Sequence, residues 1–209
     1  MTHQILGCDP GTTNAGYSVV DFTKKTFSIL EIGMIESTFK NMTDNVQHKK
    51  LTKAQRAKLL KQTGAKRITK DMLPSQPPFS EGFLKYYNSV NKLLGDYNLK
   101  GMIAERFQTR GNMGPLIEMV SMQLGVFATL SHQMGFPMRL VVASQWKNRI
   151  NDISNLEDIY TYAHQYGLTP HECDSTGMAL YQADHLGIMP LEISLGQWRK
   201  AITTYAKRN

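Results

Sequence analysis

The chain has 209 residues, 41% of them hydrophobic and 20% charged, which predicts one domain, with or without an insertion, and enough interior for a true core. No apolar run approaches the roughly 20 residues of a membrane span, the N-terminus lacks the basic and apolar regions of a signal peptide, and two cysteines are too few for a disulfide scaffold, so a cytoplasmic protein is expected. The net charge of +7 is local: residues 48–70 hold nine Lys/Arg and no Asp or Glu, leaving 15 of the 24 basic side chains to face 17 acidic ones elsewhere.

In chain order, residues 3–9 and 16–21 read as strands joined by an Asp-Pro-Gly turn, and 26–36 alternates as a third strand. Short connections between sequential strands predict an antiparallel meander. Over 37–80 the pattern breaks, and the basic run is followed by LPSQPPFSEG, whose three prolines deny it regular structure. This region reads as a basic insertion with a short helix over 52–62. Its Lys49, Lys50, Lys53, Arg56, Lys58, Lys61, Lys66 and Arg67 suit a polyanion, nucleic acid first, because phosphate contacts release counterions; a solvated charged face is the plain alternative.

Residues 81–97 read as a helix, with Phe83, Tyr86, Tyr87, Val90 and Leu94 at helical spacing. A short strand over 100–105 ends in Glu105, a long apolar helix covers 115–134, and another strand covers 138–143. Helices are predicted at about 155–166, 170–187 and 195–207. A meander followed by alternating helices and strands predicts an α/β domain, its mixed five-stranded sheet flanked by helices. The 115–134 helix is apolar on more than one face, which predicts deep burial or an interface.

Three places carry acids where chemistry is plausible. Asp9 ends the first strand and Glu105 the fourth. In GLTPHECDSTG, Thr169 suits an N-cap, Pro170 the first helical position and Glu172 the third, so Glu172 reads as half of a capping box. His171 and Asp174, three apart, share one helix face, whereas Asp184 lies about 15 Å further along and is too far to join them. Asp9, Glu105, His171 and Asp174 have donors suited to two hard cations, magnesium or manganese, about 4 Å apart, clamping a phosphodiester during attack by water. Spacing alone leaves open that Asp9 only caps its turn, that Glu105 is exposed and that His171 is a surface histidine. Cys8 and Cys173 each precede a candidate ligand and are expected to pack in the core.

The stretches ILGCDPGTTNAGYSVVD, MIAERFQTRGN leading into LIEMVSMQLGVFATL, and HECDSTGMAL together resemble the RuvC family of Holliday-junction resolvases, within the RNase H-like superfamily. The resemblance spans most of the chain outside 37–80. It implies an RNase H-like fold and a magnesium-dependent endonuclease, with manganese able to substitute. Such an enzyme cuts branched DNA in pairs of nicks that leave 5′-phosphates, and it acts as a homodimer through the 115–134 helix. It maps the catalytic and metal-binding roles onto Asp9, Glu105, His171 and Asp174. It also implies DNA contacts for Phe107, Arg110 and Lys147; where the family has a further Lys, this chain has Glu157 and Asp158. If His171 acts as a base, cutting is expected to fall below about pH 6, as the imidazole protonates.

Two other classes compete. DPGTTNAGYSVVD is also similar to the first phosphate loop of the actin, hexokinase and heat-shock ATPases. Those proteins need two such domains, however, and the capping signal at Thr169 starts a helix where that reading needs a strand end. A non-catalytic DNA-binding module would have no use for carboxylates beside phosphate.

Overall fold

The computed structural model describes residues 3–11, 14–37, 52–68, 79–106 and 114–208. Strands β1 (His3–Pro10), β2 (Asn14–Phe22) and β3 (Phe27–Glu36) form the expected antiparallel meander. Helices α1 (Lys53–Thr63) and α2 (Phe79–Gly95) follow, then β4 (Leu99–Glu105), α3 (Gly114–Gln133) and β5 (Met138–Val141). The chain ends in α4 (Ala143–Asn151), α5 (Leu156–His164), α6 (Pro170–His185) and α7 (Leu195–Ala206). The sheet order is β3-β2-β1-β4-β5, with β4 parallel to both β1 and β5, so the sheet is mixed and five-stranded.

Strand alternation divides the core between the two faces. Leu6, Cys8, Val19, Met102 and Ala104 face α2 and α3, where they meet Tyr86, Val90, Phe127 and Leu130. Ile5, Val20, Phe22 and Ile103 face the opposite way, against Trp146, Ile159, Met178 and Trp198 of α4 to α7. Both cysteines are buried and free, as expected for core residues, and burial pushes the Cys173 thiol up to about 12. Among the described residues no helix is long and apolar enough to cross a membrane.

One sequence expectation needs correcting. The strand predicted to reach residue 143 ends at Val141, and Ala143 opens α4. That helix is short and has only Trp146 and Ile150 to bury, one turn apart, which leaves little periodicity to read. The 115–134 helix, expected to lie deeply buried or at an interface, is α3, and one side of it is covered within the chain. Met119, Val120, Val126, Phe127 and Leu130 of α3 are buried, but Ser121, Gly125 and Ala128 face outward. The helix enclosed on nearly all sides is α6.

Candidate active site

The site lies at one end of the sheet. Strands β1 and β4 are parallel neighbours with Cys8 opposite Ala104, so Asp9 and Glu105 stand at the carboxyl ends of adjacent strands. By alternation both point to the α6 face, Asp9 in step with Ile5 and Gly7, and Glu105 in step with Ile103.

Glycines decide how closely α6 approaches. A Cβ on Gly7 would run into the Ser175 carbonyl oxygen, and one on Gly16 would stand 2.7 Å from the His171 carbonyl oxygen. Gly16 pairs directly with Asp9 across β1 and β2, so the first turn of α6 sits over Asp9. The start of that turn is set locally, as expected. The Thr169 side chain accepts from the Glu172 N–H, Glu172 Oε2 accepts from the Thr169 N–H at 2.7 Å, and Pro170 opens the helix. Glu172 is therefore committed to the cap.

Each acid has a distinct partner. His171 Nδ1 is hydrogen-bonded to Asp9 Oδ2, and Asp9 is buried, whereas the imidazole is largely exposed. That bond, aided by the negative charge of Asp9 and Asp174, raises the His171 pKa above its ordinary value; burial opposes the shift without cancelling it. Asp174 is held twice: Lys147 Nζ lies 2.6 Å from Oδ2, and the Tyr160 hydroxyl donates to Oδ1. Glu105 Oε2 accepts from the Trp146 indole N–H at 3.1 Å. The Trp146 ring packs on Gly177, where a Cβ would stand 2.8 Å away, and it carries the Lys147 ammonium 5.0 Å from its centroid. Burial pushes the carboxyls of both Glu105 and Asp174 upward, and the charge of Asp9 adds to the rise in each.

The four predicted ligands therefore share one electrostatic neighbourhood, in two closely bonded groups. One is Asp9 with His171; the other is Asp174 with Lys147 and Tyr160. Glu105 is tied to the second through Trp146. Among the described residues no three His, Cys, Asp or Glu groups already form a metal cluster. The donor chemistry nonetheless suits a hard cation, with three carboxylates and an imidazole gathered at one end of the sheet.

Phe107, Arg110, Lys49 and Lys50 lie outside the described residues. Lys53, Arg56, Lys58 and Lys61 lie on α1, with Lys66 and Arg67 just beyond it, and all six are exposed. Sequence reasoning missed three supporting residues. Trp146 and Tyr160 orient Glu105 and Asp174, and buried Gln123 of α3 donates to the carbonyl of Gly11, two residues beyond Asp9, at 2.8 Å.

No protein-family model matches the chain, and no curated protein sequence does. Solved structures do. T. thermophilus RuvC in complex with a Holliday junction substrate is 16% identical over 88% of this chain and 94% of that one, with a TM-score of 0.58. A second Thermus thermophilus RuvC structure is 16% identical over 89% and 95%, with a TM-score of 0.55. The chain has the fold of these proteins, an RNase H-like α/β fold.

Proposed function

We propose that the chain is a metal-dependent endonuclease that resolves branched DNA, four-way junctions above all, and that it works as a homodimer. One observation carries the reading. Asp9 and Glu105 end adjacent parallel strands beneath His171 and Asp174 of α6, on a fold shared with a RuvC bound to a Holliday junction substrate. Carboxylates beside a phosphodiester are unfavourable unless a cation lies between them.

Asp9, Glu105 and Asp174, with His171, would hold two magnesium ions, manganese serving as well. Bound there, the ions would neutralise charge on the scissile phosphate and lower the pKa of the attacking water, leaving a 5′-phosphate. Asp9 fixes the imidazole ring through Nδ1, which leaves Nε2 for one role, either to bind an ion or to orient the water and accept its proton. If the imidazole is the base, activity falls on the acid side as it protonates. Lys147 meets the DNA backbone next to the cut, and the exposed basic residues of α1 grip a duplex arm. On α3, Ile117, Met122 and Leu124 remain partly exposed between small outward residues, a surface suited to a two-fold partner matching the symmetry of a junction.

A nicking assay tests the reading. A labelled four-way junction and a matched linear duplex are incubated in magnesium with the wild type, Asp9→Asn and Asp174→Asn. Paired cuts on the junction alone are expected, with each variant slowed by about a thousandfold while still binding. No cutting in magnesium or manganese, with ATP hydrolysis instead, would replace this reading with the phosphate-loop ATPase. A monomer by light scattering, at concentrations that cut junctions, would remove the dimer.

A further inference from the structure

Beside Asp174 a cleft of about 300 Å³ opens between α4 and α5. Lys147, Asn151, Asn155, Leu156, Glu157 and Tyr160 line it. Lys147 and Tyr160 are the two residues that hold Asp174, so the cleft adjoins the proposed cutting site. The catalytic reading makes no use of Asn151, Asn155 or Glu157.

Both amides have a fixed orientation. Asn151 Oδ1 accepts from the Leu156 N–H at 3.0 Å, and Asn155 Oδ1 accepts from the Glu157 N–H at 3.1 Å as the N-cap of α5. A backbone N–H can only donate, so each amide spends its oxygen on the chain and keeps its NH2 as a donor for something else. Glu157 contributes acceptor oxygens. Leu156 and the Tyr160 ring contribute apolar and flat surface.

Charge decides what kind of group fits. Within the lining Glu157 offsets Lys147, whose ammonium is already bonded to Asp174, so the cleft offers no net positive charge to hold a second phosphate. A neutral, flat ring with acceptors on one edge and N–H groups on another matches the lining, and the volume accommodates one such ring. We propose that the cleft receives one unstacked nucleobase next to the cut and thereby sets the sequence at which the chain cleaves. This rests on the junction-nuclease reading above.

Asn151→Asp and Asn155→Asp separate recognition from structure. Each keeps the oxygen that caps the following helix and replaces the remaining NH2 donor with a carboxylate oxygen. Glu157→Gln makes the opposite exchange on the other wall. Four-way junctions randomised around the crossover are cut by each protein, and the ends are sequenced. The expected result is a wild-type base preference at one position flanking the cut. In the Asp variants, which fold normally by thermal melting, that preference changes by about tenfold while other positions keep theirs. An abasic nucleotide at that position should slow the wild type by about tenfold and make it equal to the variants.

Unchanged base preference in all three variants would overturn the proposal. So would variants whose defect disappears on a methylphosphonate at that nucleotide rather than an abasic one, because the contact is then to backbone. A wild type that cuts no junction would remove the nuclease reading, and this inference with it. A wild type that cuts junctions without flanking preference would remove the inference alone.

Discussion

Helices α6 and α1 start in the same way and end up in opposite situations. Each opens on a threonine capping box, Thr169 with Glu172 and Thr52 with Gln55, and α1 also closes on the left-handed Gly64. Most of α6, from Glu172 to Ala183, is buried against β1, β2 and α4, whereas α1 buries no residue at all. A cap determines where a helix begins, but burial determines whether the rest of the protein holds it there. The held helix carries the chemistry of the proposed site, and the exposed one carries its positive charge.

The largest expected effect breaks the held side. In Gly7→Val the new side chain collides with the Ser175 backbone, which cannot yield without lifting α6. A loss of about 3 kcal/mol in denaturant unfolding is expected. Ala57→Val, on exposed α1, should cost about 0.5 kcal/mol or less. Equal midpoints for the two variants would mean that α6 is not seated on Gly7.

Next comes the charged side. Lys53→Gln, Lys58→Gln and Lys61→Gln together should flatten the slope of log affinity against log salt by about 2.7 on junction DNA, if each lysine meets one phosphate, with no change in melting temperature. An unchanged slope would take α1 off the DNA surface.

What the sequence revealed follows the same division. Local signals were legible: the meander of β1 to β3, the cap at Thr169 and the helix at 52–62 all lie near their predicted places, because each depends on neighbours within a few residues. The acids were legible as strand and helix ends. Their partners were not. Trp146 reaches Glu105 across 41 residues, and Gln123 reaches Gly11 across 112. Only the placement of β4 beside β1, which no local pattern announces, brings Glu105 next to Asp9. The enclosure of α6 was hidden for a related reason: Gly177, Ala179 and Ala183 look weakly hydrophobic, yet small residues are what allow a helix to be covered on all sides.

A smaller effect comes from titration in the held region. The raised pKa of His171 means its bond to Asp9 contributes fully below the ordinary imidazole value and is lost as pH rises through the raised one. For Glu105 and Asp174, burial imposes a penalty that is absent below ordinary carboxylate values and complete above the raised ones. All three therefore make the metal-free protein less stable as pH rises from the ordinary carboxylate range through the raised imidazole value. Glu105→Gln, still able to accept from Trp146, should melt close to the wild type at the acid end and a few degrees above it at the alkaline end. Magnesium should narrow that gap by stabilising the wild type. A gap independent of pH would mean that Glu105 does not ionise in the held site.

The smallest effect tests the capping boxes against each other. Thr169→Ala and Thr52→Ala each remove a side-chain acceptor worth about 1 kcal/mol to its own helix. Because α6 unfolds with the core, Thr169→Ala should lower the global stability by that amount. With nothing buried, the 11-residue α1 depends on its caps and intrinsic propensity and is marginal in water. Thr52→Ala should leave the global transition unmoved and appear as faster amide exchange confined to α1. If α1 binds DNA as a helix, the same variant must spend about 1 kcal/mol more to order it on binding, and junction affinity should fall about fivefold at constant charge. A Thr52→Ala protein with faster exchange but full affinity would show that α1 contributes its lysines to DNA without contributing its helix.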